Sequence, residues 1–318
     1  MRRKPLFAAS PSSFLPSRRA LLVAGAVMAA GASLPGFPLA AGAAPGTRRI
    51  PSSGEAVPAV GLGTWITFNV GNDPLLLERS ARVMEAFFAG GGRVIDSSPM
   101  YGSSQATLGY GFDRLGRPEG LFAADKVWTS SQREGPAQMA RSRRAWKVPR
   151  FSLMQVHNLR GWEAHLPMLL EKKAAGEIGY VGITTSEGRR HGLFEEIMAR
   201  ETLDAVQVTY NPLDREVEER ILPLAAERGT AVIVNRPFRQ GALTRRLEGE
   251  KLPDFAAEIG ASSWAQLILK FILAHPAVTV VIPATTRPEH ASENMAASGG
   301  PLPDAAMRER ISAAIGGL

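Results

Sequence analysis

The run Arg93-Val94-Ile95-Asp96-Ser97-Ser98-Pro99-Met100-Tyr101-Gly102-Ser103-Ser104 opens on a short β-rich stretch, turns at Pro99 and Gly102, and enters a helical pattern over 104–115. A strand, a loop carrying polar residues and then a helix make one βα unit. The same unit recurs on both sides. Strands are predicted at 57–65, 93–97, 121–127, 151–156, 178–183, 205–209, 231–234 and 278–282. Helices are predicted at 74–89, 104–115, 136–146, 162–175, 193–199, 215–228, 262–274 and 288–297. In the first helix Leu76, Ala81, Val83, Met84, Phe87 and Phe88 form an apolar stripe. Asp73 before Pro74 is an N-cap with proline at the first helical position, and Gly90-Gly91-Gly92 stops the helix. Eight strands, each followed by a helix, is the count of a parallel (β/α)8 TIM barrel, here spanning 45–318. A doubly wound sheet is the alternative. It wants a glycine-rich loop straight after the first strand, and Gly61-Leu62-Gly63 has no third glycine opening a helix.

The 318 residues are 45% hydrophobic and 21% charged, enough apolar material for a core and too much for a disordered chain. With no cysteine, disulfide scaffolds and Cys-based zinc or iron–sulfur sites are excluded. The net charge of +7 is concentrated at one end. Residues 1–44 hold Arg2, Arg3, Lys4, Arg18 and Arg19 and no acid, which leaves +2 for the rest. A near-neutral body gives no basic face for nucleic acid. The cluster Arg141, Arg143, Arg144, Lys147 and Arg150 reads as a solvated helix face.

Ser17-Arg18-Arg19-Ala20-Leu21-Leu22 is followed by an apolar run to Leu34 and then by small residues around Ala40, Ala43 and Ala44. A basic region, an apolar stretch and an Ala-x-Ala-like end make a secretory signal, and paired arginines point to the bacterial twin-arginine (Tat) route. The apolar run is shorter than the ~20 residues a membrane span requires, so no stable membrane anchor is expected. Residues 1–44 are therefore expected to engage the twin-arginine export machinery and to deliver the chain to the periplasm. An uncleaved signal would leave it cytoplasmic or membrane-tethered.

Four ionisable residues stand at or just beyond successive strand ends: Asp96, Tyr101, Lys126 and His157. In a barrel these ends converge on one face. A buried Lys126 needs a partner, which Asp96 supplies. Tyr101 beside an ammonium is expected to have its pKa lowered from about 10, as suits a general acid. His157 is placed to donate to a carbonyl oxygen. Taken singly, each has an ordinary use: a helix cap, a turn, a snorkelling lysine, a core histidine.

Together these residues resemble the aldo-keto reductase superfamily, through Asp96 to Ser104, Lys126-Val127-Trp128 and Gln155-Val156-His157. Gly61-Leu62-Gly63-Thr64-Trp65, the run from Gly176 to Ile183, and Ile282-Pro283 with Glu293-Asn294 extend the likeness over about 57–297. The resemblance implies a (β/α)8 barrel that binds NADP(H), with NAD as the alternative, and passes hydride to a small-molecule carbonyl substrate. It implies Tyr101 as proton donor, Lys126 and Asp96 as the pair that tunes it, and His157 as the residue that positions the carbonyl. It sets Thr64, Trp65, Asp96, Thr184, Asn235 and Arg236 along the cofactor, with Gln207 near the nicotinamide carboxamide. Pro237, Phe238 and Gly241 fall at the pyrophosphate, and Thr285, Thr286, Arg287, Glu293 and Asn294 at the adenosine end. No metal is implied.

Some positions depart from the family pattern. Thr184-Thr185 replaces the usual Ser-Asn, Asn235 an aromatic, Gln105 an acid and Ala284 a lysine. Specificity loops are expected at 67–73, 129–135 and 236–260 and in the tail after 301, with Trp65, Phe68, Met100, Trp128 and Trp162 lining an apolar pocket. Two other readings are a nucleotide-binding barrel with little or no turnover and a metal-dependent barrel hydrolase. The hydrolase lacks ligands: His165, His191, His275 and His290 fall in predicted helices or loops.

Overall fold

The computed structural model describes residues 46–318; the expected export signal at 1–44 lies outside them. An antiparallel hairpin of β1 (Thr47–Arg49) and β2 (Ala56–Pro58) comes first. Strands and helices then alternate: β3 (Leu62–Gly63), α1 (Pro74–Ala89), β4 (Val94–Asp96), α2 (Ser104–Leu115), β5 (Phe122–Val127), α3 (Glu134–Trp146), β6 (Phe151–Val156), α4 (Trp162–Ala174), β7 (Ile178–Thr184) and α5 (His191–Arg200). They continue with β8 (Ala205–Thr209), α6 (Ile221–Arg228), β9 (Ala231–Asn235), α7 (Ala242–Arg246), α8 (Trp264–Leu273), β10 (Val278–Val281), α9 (Pro288–Ala296) and α10 (Ala305–Gly317). Strands β3 to β10 pair in parallel in sequence order. The sheet closes where Val60 bridges Val281 and the Gly61 and Gly63 amides donate to the Val281 and Pro283 carbonyls at 2.8 and 2.9 Å. The fold is the expected (β/α)8 barrel.

The long first strand expected at 57–65 is instead two pieces. The switch falls at Ala59: its amide still donates to the Gly46 carbonyl at 2.9 Å, and Val60 already bridges Val281 in the barrel. The piece before it folds back as the hairpin, whose Ile50 and Val57 plug the N-terminal end of the barrel against Val94, Phe122, Leu153, Ala231 and Val280. The helix expected at 215–228 is a 3-10 turn (Glu216–Glu218) followed by α6. The tail folds as α10, with Ile311 and Ile315 buried and Arg215 bound to Glu309 at 2.7 Å. At α1 the Asp73 carboxylate accepts from the Leu75 and Leu76 amides, as the sequence predicted.

Alternation along the strands decides what faces the barrel axis, since successive side chains point to opposite faces. Val94 then Asp96, Phe122 then Ala124 then Lys126, Leu153 then Gln155, and Ala205 then Gln207 run from the plugged end upward. The lower members pack in one apolar cluster. The polar members come together above it.

Candidate functional site

At the C-terminal ends of the strands the barrel opens into a cavity of about 520 Å³. Its floor is a polar cluster. Lys126, at the end of β5, is fully buried. Its Nζ donates to Asp96 Oδ2 at 2.5 Å and to the Ser97 carbonyl at 2.8 Å. The other Asp96 oxygen accepts from Gln207 Nε2 at 2.8 Å and Gln155 Nε2 at 3.4 Å. Burial pushes Lys126 down more than any single neighbour pushes it up, but the charges of Asp96, Tyr101 and Asp125 and the hydrogen bond to Asp96 together outweigh it, and the ammonium is held above its ordinary pKa.

Tyr101 lies on the β4–α2 loop with its ring centroid 5.1 Å from Lys126 Nζ. The His157 ring meets it edge-on at 5.6 Å, and the Trp65 ring lies at 6.4 Å. The expected lowering of the Tyr101 pKa does not hold in this structure. Burial pushes the phenol up, and the opposing pull of Lys126 does not offset it. The phenol therefore keeps its proton at neutral pH, and the ammonium beside it stabilises the charge left when that proton departs. Burial, with the Lys126 charge, pushes His157 well below the usual histidine range, so its ring is neutral. The His157 Nδ1 is 2.8 Å from Ser98 Oγ.

The residues expected along the cofactor divide in two. Thr64, Trp65, Asp96, Thr184, Gln207, Asn235, Arg236, Pro237, Phe238, Gly241, Thr285 and Thr286 line the cavity. Arg287, Glu293 and Asn294 do not. Arg287 faces solvent beside Glu289, Asn294 is buried in α9, and the Glu293 carbonyl accepts from Gln266. Of the expected apolar lining, Trp65 and Met100 reach the cavity, whereas Phe68 is packed in the core and Trp128 and Trp162 lie elsewhere. The 129–135 loop and the tail also contribute nothing to the wall; 236–245 does.

Three of the four departures have defined partners in the structure. Thr184 Oγ1 accepts from the Asn158 amide at 2.9 Å, while the Thr185 hydroxyl donates to the Arg189 carbonyl and is turned away from the cavity. The Asn235 amide is tied to Thr209 at 2.6 Å and to the Thr185 carbonyl at 3.0 Å. Gln105 donates to both oxygens of buried Asp125, at 3.0 and 2.9 Å. Burial raises the Asp125 carboxyl to about 7, against the pull of the Lys126 charge.

Several wall residues have no signal in the sequence. Asn158, Glu187, Arg189 and Gln240 come from the segments between strands and helices, and Arg245 from the short helix α7. Arg236 pairs with Glu187 at 2.7 Å and lies 5.7 Å from the Trp65 ring, bridging two sides of the cavity. Gln155 was within reach of sequence reasoning, since it precedes His157 by two and so shares its face. Among the described residues the non-glycine residues with positive φ gather here: all of them but Lys147 lie in the segments that follow the C-terminal strand ends, including Ile66, Asn158, Arg236 and Gln240. Such backbone strain concentrates at functional sites.

Arg189, Arg236 and Arg245, with the Gln207 amide and Trp65 in one cavity, form a donor set that fits the anionic diphosphate of a dinucleotide. Among the described residues no group of His, Asp or Glu is placed to hold a metal ion, and no helix is long and apolar enough to cross a membrane.

The Aldo/keto reductase family model matches residues 59–314. The chain is 26% identical over 219 residues to the aldo-keto reductase YhdN of Bacillus subtilis (strain 168), covering 63% of this chain and 64% of that protein. Among solved structures, the aldo-keto reductase AKR11C1 from Bacillus halodurans (holo form) superposes with a TM-score of 0.69 at 22% identity, over 85% of this chain and 96% of that one. An aldo/keto reductase from Klebsiella pneumoniae in complex with NADP and acetate gives 0.68 at 22% identity, over 84% and 95%.

Proposed function

This chain belongs to the aldo/keto reductase family, and from that premise we propose that it reduces an aldehyde or ketone to the alcohol by hydride transfer from NADPH, with Tyr101 as proton donor. NADH is the alternative donor. One observation carries the reading: Tyr101, the Lys126–Asp96 pair and His157 meet at the floor of a single arginine-lined cavity.

The dinucleotide, when bound, supplies the hydride. Tyr101 gives its proton to the oxygen of the carbonyl as charge develops there. Lys126 stabilises the resulting phenolate, and Asp96 holds the ammonium in place and compensates its burial. Neutral His157 donates a hydrogen bond to the same oxygen. Gln207, its Nε2 tied to Asp96, presents its remaining amide groups toward the cavity, and the arginines hold the diphosphate. Support for a nicotinamide dinucleotide comes from the cationic wall, and for NADP from the Klebsiella pneumoniae neighbour, whose structure contains it. The experiment is a panel of aldehydes and ketones assayed with NADPH and with NADH. Tyr101→Phe is expected to lower turnover roughly 10²–10⁴-fold while leaving nucleotide binding intact. Absence of turnover, or a Tyr101→Phe variant as active as the parent, overturns the assignment.

We also propose that residues 1–44 direct the folded, nucleotide-loaded chain through the twin-arginine route to the periplasm. The support is Ser17-Arg18-Arg19 before an apolar run, beside a barrel suited to a cofactor. Replacing both Arg18 and Arg19 by Lys should retain the protein in the cytoplasmic fraction of a bacterial host. Unchanged fractionation would contradict this, as would a periplasmic protein free of nucleotide by mass spectrometry.

A further inference from the structure

We propose that Ser98 is a positioning residue that holds His157 as the tautomer with its proton on Nε2, aimed into the cavity. The inference rests on the reading of His157 as hydrogen-bond donor to the substrate carbonyl.

The argument is a count of donors and acceptors. Ser98 is fully buried, so its hydroxyl has no water to turn to. Its Oγ has two partners, His157 Nδ1 at 2.8 Å and the Met100 amide at 3.2 Å. The amide is a donor and takes one lone pair of the oxygen. If His157 carried its proton on Nδ1, Ser98 would accept twice and its own proton would be buried with no acceptor, which native structures avoid. With the hydroxyl donating to Nδ1, every group is satisfied. A neutral imidazole has one proton, so Nε2 carries it. Among the described residues Nε2 has no protein partner, and His157 lines the cavity beside Tyr101.

The consequence is specific to a carbonyl. An Nε2–H donates to the oxygen on which charge develops, whereas a bare Nε2 would turn a lone pair toward it. The loop carries its own brace: the Tyr101 amide donates to the Ser98 carbonyl at 3.0 Å, and the Ser98 hydroxyl accepts from Met100. Ser98 thereby links the backbone that presents the phenol to the ring that shares its target oxygen. No other described side chain bonds to Nδ1. The charge that acts on His157 is that of Lys126, already committed to Asp96 and the Ser97 carbonyl.

The deciding measurement is the nitrogen NMR of the histidine side chains in the intact chain, with the His157 signal identified by its loss in His157→Gln. A protonated Nε2 and a bare Nδ1 are expected; a protonated Nδ1 overturns the proposal. Ser98→Ala is expected to let the Nδ1-protonated form appear and to lower kcat about tenfold, a fraction of the 10²–10⁴ that positioned proton donors contribute. The KM for NADPH should stay unchanged. An unaltered tautomer with unaltered kcat also overturns it. Ser98→Thr, which keeps the hydroxyl, should restore both tautomer and kcat if it folds, and the measurement on the parent chain decides if it does not. The NMR needs no substrate, so failed carbonyl turnover by the parent chain counts against the proposed function and is read separately.

Discussion

Lys126 Nζ sits 2.5 Å from Asp96 Oδ2 inside the barrel, with side-chain exposures of 0% and 3%. Both residues are interior members of neighbouring parallel strands, and Gln207 and Gln155 occupy the other carboxylate oxygen. A buried pair of this kind is costly to break and less costly to remove.

Lys126→Met and Asp96→Asn should each destabilise the chain by roughly 3–5 kcal/mol, because each leaves one buried group without its counterpart. The double substitution should recover much of that loss in chemical denaturation, yet remain inactive. A double variant with parental turnover would remove the pair from the chemistry.

Asp125 predicts a pH dependence of stability. Its carboxyl ionises near pH 7 when folded and near 4 when unfolded. Between those values the folded chain binds more protons, so this group's contribution is largest below about pH 4 and declines as pH rises toward 7. Asp125→Asn should be near neutral at pH 5 and raise stability by roughly 1–3 kcal/mol at pH 8. A parent and variant with parallel melting profiles from pH 5 to 8 would refute this.

Arg236 and Glu187 test the cofactor reading. Removing the guanidinium in Arg236→Ala should weaken NADPH binding about 10–100-fold, as expected for the loss of a charge-assisted bond. Glu187→Gln, which frees Arg236 from its 2.7 Å partner, should tighten binding a few-fold. Quenching of tryptophan fluorescence reports both, since Trp65 lies 5.7 Å from the guanidinium. Equal affinities in all three proteins would place the diphosphate elsewhere.

Gly109 shows packing overruling helix propensity. Alanine in a helix is favoured over glycine by about 1 kcal/mol, but a Cβ at 109 would sit 2.1 Å from the Ala145 carbonyl oxygen of α3. Gly109→Ala should therefore lose about 1–3 kcal/mol through overpacking. Gly192→Ala, with nothing within 4 Å, should be neutral or gain up to about 1 kcal/mol. Thermal melts compare the two directly.

The barrel was legible because its period is local: each βα unit announces itself by a short β-rich run, a polar loop and an apolar helical stripe, as in 93–115. Asp96, Tyr101, Lys126 and His157 were legible for a related reason, since strand ends converge in any such barrel. The hairpin of β1 and β2 was not foreseen, because it depends on which partner Ala56–Pro58 finds across space. Arg287, Glu293 and Asn294 were set at the adenosine end by likeness in order along the chain; in space they lie outside the cavity wall, Arg287 beside Glu289, the Glu293 carbonyl bonded to Gln266 and Asn294 buried in α9.

Sequence by itself determined the alternation of elements, the family and the chemical types at the site, all of which follow from residue identity and spacing. Only the tertiary structure decided which proton each of those groups carries. Whether Tyr101 rises or falls depends on the balance of burial against one ammonium, and the face His157 presents depends on a hydroxyl 59 residues away in sequence and 2.8 Å away in space. Desolvation and hydrogen-bond direction are properties of an environment, and the environment forms only when distant strands meet.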